Sequence, residues 1–230
     1  MPGRSPAGDW VATVRRAQAL TQAGAARRGR ITERAWQKVE AGHPISPRIA
    51  AAITAALELD QAGAAHLHRL IRPPHPRPAP PARDRLAPVA AAIGAPAWII
   101  DPAWTVLAAS PAAGTPPRNL ARWAVAASGW QDRPRIAAQL VARTRALTSW
   151  FTETPKVHRM IAALSQSSPA AATAWAEGLV ADTPPSEDIR YAGYLLRLDW
   201  AWLGSDPSTR LMMITAVDGE APRLPCSMHG

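Results

Sequence analysis

The chain has 230 residues, enough to bury a substantial core and suited by size to one large or two small domains. Hydrophobic residues make up 47% and charged residues 19%, which excludes global disorder, a collagen-like chain and a disulfide scaffold. The net charge of +9 is uneven: residues 1–72 hold 11 Lys+Arg against 5 Asp+Glu, and 89–230 hold 12 against 11. An excess concentrated on one small module is the footprint of a polyanion, and nucleic acid fits better than an acidic membrane because no basic amphipathic helix with bulky apolar residues accompanies it. The one cysteine, Cys226, cannot form an internal disulfide, and apolar runs such as 97–100 are soon broken by Asp or Pro. With no apolar core in residues 1–10, the expectation is a cytoplasmic protein with neither a membrane span nor a secretory signal.

Residues 1–72 read as five short helices. Val11, Val14 and Ala17 share one face of the first, and further helical patterns cover 22–28, 32–41, 47–57 and 62–71. Thr21 and Thr32 suit N-caps, Pro47 after Ser46 suits a first helical position, and Gly42 suits a helix end with positive φ. Residues 73–88 are Pro-rich without apolar periodicity and predict a polyproline-like linker. Beyond it, 97–101 and 105–109 predict two strands of a hairpin. Ile136, Leu140, Leu147 and Phe151 predict a helix over 133–151; Val157, Ile161 and Leu164, then Trp175 and Leu179, predict two more, divided by Pro169. From Tyr194 the period becomes two, and a turn at 204–207 leads into 211–217, a second hairpin. The fold class predicted is α+β: a helical domain over 1–72, the linker over 73–88, an α+β domain over 89–220 and a tail over 221–230.

The run from Leu20 to Gly42 describes a helix, a tight turn and a second helix, with Ala25 and Ala26 permitting close approach and Ile31, Trp36 and Val39 filling the angle between them. Thr21-Gln22, Ile31-Thr32, the pair Trp36 and Val39, and the closing Glu40-x-Gly42 resemble the helix-turn-helix of phage-repressor-like regulators, the xenobiotic response element family. That resemblance implies that Thr21 and Gln22 bind phosphate, and that Glu33, Arg34, Gln37 and Lys38, with Thr32 opening their helix, face the major groove. The chemistry suits these roles: Arg34 or Lys38 can donate to guanine, Gln37 can pair with adenine, and Glu33 can accept from cytosine. Glu40 is expected as a partner within the domain rather than a base reader. Gly29 stands one residue earlier than that family's turn glycine, so either the turn slips by one residue or Arg30 takes an unfavourable backbone conformation.

From about residue 95 to 219 the chain resembles the MmyB-like ligand-binding domain of actinobacterial regulators. The residues carrying this are Trp98-Ile-Ile-Asp101 with Val106-Leu-Ala-Ala109, Asn119-Leu-Ala-Arg122, Leu164-Ser-x-x-Ser-Pro169 with Trp175, and Gly193-Tyr-Leu-Leu-Arg-Leu-Asp199 leading to Leu211-Met-Met-Ile-Thr215. The resemblance implies a PAS-like fold, a fatty-acid-like or other lipophilic small molecule as ligand, and a homodimer on double-stranded DNA. From the residues themselves, Trp123, Trp150, Trp175, Trp200, Trp202, Met212 and Met213 are candidates for an apolar ligand pocket, with plain core packing the competing reading. Arg122 and Arg197 are candidates for a ligand carboxylate or for simple surface positions.

No paired Cys, His-Glu-x-x-His, Gly-rich phosphate loop or Gly-x-Ser-x-Gly occurs, and His66 and His68 lie two apart on one helix, pointing to different faces. Neither a catalytic centre, a metal site nor a cofactor is therefore expected. The function expected is sequence-specific DNA binding and transcription regulation under a lipophilic ligand, against an alternative in which the second domain binds a partner protein and the helix-turn-helix is vestigial.

Overall fold

A computed structural model describes residues 5–72, 82–150, 155–203 and 209–217. Five helices open the chain: α1 (Pro6–Ala17), α2 (Gln22–Arg28), α3 (Glu33–Glu40), α4 (Pro47–Ala56) and α5 (Gln61–Leu70). Each start is fixed by a side chain that accepts from a first-turn amide: Ser5, Thr21, Thr32, Ser46 and Asp60 accept from Gly8, Gly24, Ala35, Ile49 and Gly63. Trp36, Ile53, Leu57 and Leu67 are fully buried in the core these helices share. Removing Trp36 would cost roughly 3–5 kcal/mol.

The linker expectation needs correction. Residues 83–91 form a helix, α6 (Arg83–Ala91), even though Pro88 inside it cannot donate to the carbonyl of Asp84. Packing outweighs the lost bond, because Leu86 and Ala90 are buried against Ile99. Residues 73–81, and the tail expected at 221–230, lie outside the described residues.

The second domain is α+β, as predicted. Strands β1 (Ala97–Ile100), β2 (Val106–Ala109), β3 (Ser186–Tyr191), β4 (Tyr194–Trp202) and β5 (Arg210–Ala216) form an antiparallel sheet in the order β2-β1-β5-β4-β3. Helices α7 (Leu120–Ala126), α8 (Arg133–Thr148), α9 (Pro155–Ser167) and α10 (Pro169–Ala176) cover the face that carries Trp98, Leu196, Leu198, Met212 and Ile214, while α6 lies on the other. Register fixes which residues share a face: Trp200 pairs with Met212, and Asp199 with Met213. The β1–β2 turn is tied by Asp101, whose Oδ1 accepts from the amides of Ala103 and Thr105 at 2.9 and 2.8 Å and whose Oδ2 accepts from Lys156 Nζ at 2.7 Å.

The two domains touch. Trp10 Nε1 donates to the carbonyl of Gly178 at 3.0 Å, Arg69 Nε donates to Ser149 Oγ at 2.9 Å, and the Arg69 guanidinium lies 5.2 Å from the Trp150 ring centre.

Candidate functional site

The packing of α1, α2 and α3 is set by one carboxylate. Glu40 is buried and accepts from Arg15 Nε at 2.6 Å, Arg15 Nη2 at 3.1 Å, Gln22 Nε2 at 2.8 Å and Trp36 Nε1 at 2.7 Å, so it ties α1, α2 and α3 together. Burial alone would push its carboxyl up, but hydrogen bonds from Arg15, Gln22 and Trp36 and the charge of Arg15 hold it below the ordinary glutamate value. With Trp36 and Val39 turned into the core, Glu33, Arg34, Gln37 and Lys38 are left exposed together on the outer face of α3. Gln37 Nε2 donates to Glu33 Oε1 at 3.3 Å, a long contact that an incoming acceptor can displace. Thr21 and Thr32 are exposed at the starts of α2 and α3, where their hydroxyls already serve as caps. Gln22 is less free than the resemblance implies, because one amide hydrogen is committed to Glu40.

The displaced glycine has a packing cause. A side chain at Gly29 would come within 2.8 Å of the Ala52 carbonyl on α4, so closeness to α4, not a positive φ, calls for glycine there. The left-handed conformation then falls on Arg30, at φ 53°, while Gly29 has φ −78°. Of the two expectations for this turn, strain at Arg30 is the one observed, at a cost of about 1–3 kcal/mol.

In the second domain an apolar cavity of about 60 Å³ lies between the sheet and helices α7 and α8. Its walls include Trp104, Trp123, Trp130, Leu140, Leu198 and Trp200, and its polar members are Gln139, Arg143 and Glu187. Arg143 Nη1 and Nη2 donate to the two Glu187 oxygens at 2.5 and 2.7 Å, a partly buried bidentate pair on the cavity wall. Trp123 and Trp130 line one side with ring centres 5.3 Å apart, and Tyr191 packs on Trp130 with ring centres 4.5 Å apart.

Of the seven residues expected at a pocket, Trp123, Trp200 and Met212 line this cavity and the other four do not. Met213 points to the opposite sheet face, because it is adjacent to Met212 on a strand of period two. Trp150 is exposed and meets Arg69 at the domain contact, and Trp175 carries the Arg145 guanidinium 3.9 Å from its ring centre. Trp202, also exposed, borders a separate cavity with Arg210. Arg122 is exposed, and Arg197 donates to Asp188 at 2.9 Å on the surface, which lowers the Asp188 carboxyl below its ordinary value. Neither arginine lines the cavity.

Sequence reasoning missed Trp104, Arg143 and Glu187. Ile136, Leu140 and Arg143 follow helical spacing along the cavity face of α8, a signal open to reading, whereas Glu187 sits on β3, whose apolar alternation is confined to Ile189 and Tyr191. The same α8 that lines the cavity ends at the domain contact. Arg145 donates to the carbonyls of Ala174, Trp175 and Leu179, and Ser149 accepts from Arg69. Across this contact His66 is buried with its ring centre 4.9 Å from that of Trp10. Burial first, then the charges of Arg69 and Arg145, push the His66 pKa down to about 3. His68 is exposed, so the two histidines do point apart.

Among the described residues no helix is long and apolar enough to cross a membrane. A model of the MmyB-like transcription regulator ligand binding domain matches residues 82–223. No curated protein matches the chain.

Proposed function

The chain belongs to the MmyB-like transcription regulators, and on that premise we propose that it binds specific DNA through α3 and that a lipophilic small molecule in the cavity beside α8 alters that binding. The observation that carries this reading is the placing of α8: one stretch of the helix walls the cavity and its end holds the helical domain. A drug-sized ligand needs roughly 300 Å³ or more. A cavity of about 60 Å³ must therefore widen to admit one, and α7 and α8 are the helices that wall it opposite the sheet. Displacing α8 shifts Ser149 and Trp150 against Arg69, and so changes how the helical domains of a homodimer are spaced over a palindromic operator. The exposed set Glu33, Arg34, Gln37 and Lys38 supplies both donors and an acceptor for base edges, and the basic excess of residues 1–72 supplies phosphate neutralisation. The absence of catalytic motifs in the sequence is in keeping with a non-enzymatic role.

The test is fluorescence anisotropy of the full chain on genomic DNA fragments across a salt series, beside an Arg34→Ala/Lys38→Ala variant. Fragment-selective, steeply salt-dependent binding that the variant loses supports the reading. Binding equal for all fragments and unaffected by the variant would instead favour a protein-interaction module.

A further inference from the structure

Arg210 opens β5 in the middle of the sheet, paired on one side with Ile100 and on the other with Trp202. Its side chain is buried, yet Nε, Nη1 and Nη2 have no hydrogen-bond partner among the described residues. The guanidinium carbon lies 4.5, 5.7 and 5.9 Å from the ring centres of Trp104, Trp200 and Trp202. Rings at these distances attract the charge but accept none of the N–H donors at its edge.

The carboxylates nearby are already committed. Asp101, whose charge acts on Arg210, is held by Lys156 and two backbone amides, and Glu187 is held by Arg143. Burial above all, then the charge of Arg143, pushes the Arg210 pKa down to about 9, which leaves the group charged at neutral pH. A buried cation without a counter-ion is costly to keep, and an anion brought from outside relieves that cost.

The surroundings bear on what carries the anion. Arg210 shares a cavity of about 230 Å³ with Trp200, Ala201, Trp202 and the Pro184-Pro185 pair. Arg210 is buried while Trp202 is 49% exposed and Pro185 and Ala201 are exposed too, so the cation forms the floor of a notch with an apolar rim. The volume is below the roughly 300 Å³ from which drug-sized molecules are held, but it admits a single side chain. A free small anion reaches the floor and leaves Trp202 in water, whereas a polypeptide fills the floor with one side chain and covers the rim with its neighbours. Arginine and tryptophan are the residues on which protein interfaces most often concentrate their binding energy. The two prolines have fixed φ, so one wall of the notch is in place before anything binds. None of the outward-facing residues of α3 belongs to it.

We infer that this notch docks a partner protein, whose Asp or Glu side chain inserts against Arg210 while apolar residues beside it cover Trp202. A carboxylate matches the guanidinium fork, and its single negative charge balances the single uncompensated positive one. Docking here requires neither a ligand in the apolar cavity beside α8 nor DNA on α3.

The test is a selection from a random peptide library displayed on phage, with the full chain as target. Counter-selection on Trp202→Ala, a change at an exposed side chain, discards peptides held by the basic helical domain. The enriched peptides carry an acidic residue beside apolar ones. By calorimetry they bind the parent about tenfold or more tightly than they bind Arg210→Met, and replacing their acid by the matching amide costs as much. The amide replacement is made in the peptide and needs only the parent chain, so it decides the matter if Arg210→Met does not fold. Acetate that binds the parent as tightly as the peptides do would make this a small-anion site and overturn the docking surface. Enriched peptides without an acid, peptides indifferent to its amide, peptides that Arg210→Met binds equally well, or no enrichment over Trp202→Ala, also overturn it.

Discussion

Replacing Glu40 by Ala removes the internal tie between α1, α2 and α3 without touching the exposed face of α3. The substitution leaves Arg15 nearly buried with no counter-charge, since its side chain is 12% exposed, and strips the acceptor from Trp36 Nε1. Removing one partner of a buried charge pair costs about 3–5 kcal/mol. That is a large share of the 5–15 kcal/mol by which a domain of ordinary stability exceeds its unfolded state. Native-state hydrogen exchange of the α2 and α3 amides is the suitable assay, because tryptophan fluorescence mixes both domains. Protection there falls by about a hundredfold to several-thousandfold, while the amides of the sheet keep theirs. The pH dependence has a definite sign. Hydrogen bonds and the Arg15 charge hold the folded carboxyl below its ordinary value, so its contribution is present above that value and is lost as pH falls through the lower folded one. The gap between parent and variant therefore narrows below about pH 4. Unchanged protection in α2 and α3, or a gap that widens in acid, would refute this account of the domain.

Three further outcomes are expected. His66 is held neutral with its pKa at about 3, so the unfolded chain binds a proton that the folded one does not, and stability falls as pH drops from about 6.5 toward about 3. Urea unfolding at pH 7 and pH 5 detects that loss, at up to about 1.4 kcal/mol per pH unit; the same loss in His66→Leu would place its origin elsewhere. In Gly178→Ala the new methyl meets Val14 Cγ2 at 2.8 Å at a φ of +75°, which weakens the domain contact by about 1–3 kcal/mol. Small-angle scattering then gives a larger radius of gyration, and an unchanged radius counts against the contact. Ala124→Leu fills the cavity beside α8, raising the melting temperature by the equivalent of about 0.5–2 kcal/mol and abolishing the binding of octanoate, a lipophilic probe, while DNA binding persists; retained octanoate binding would place the ligand elsewhere.

Much of the architecture is written in local pattern. The five N-terminal helices follow from apolar spacing, from the caps Thr21 and Thr32 and from Pro47 at a first helical position, and the alternation of Leu196, Leu198 and Trp200 places β4 and its inward face. What escaped depends on distant partners. β3 offers only Ile189 and Tyr191 as buried apolar residues, so its identity comes from pairing with β4. The helical form of 83–91 is imposed by Ile99 across the sheet, against the local veto of Pro88. At the cavity, counting tryptophans and methionines selected residues by type, and three of the seven line it. The strand period that placed Met212 inward already excluded Met213, and Trp150 and Trp175 are held by Arg69 and Arg145, partners far away in sequence. Arg210 escaped for the same reason, because an arginine before an apolar strand reads as its exposed end until three tryptophans are seen around it.

The central claim is that α3 reads DNA by its exposed face. Selection of fragments from a whole genome by the purified full chain at physiological salt, with Arg34→Ala/Lys38→Ala alongside, tests it most directly. The account predicts a palindromic motif, enriched by the parent and lost by the variant. Fragments without a shared motif, or a motif that the variant retains, would contradict it.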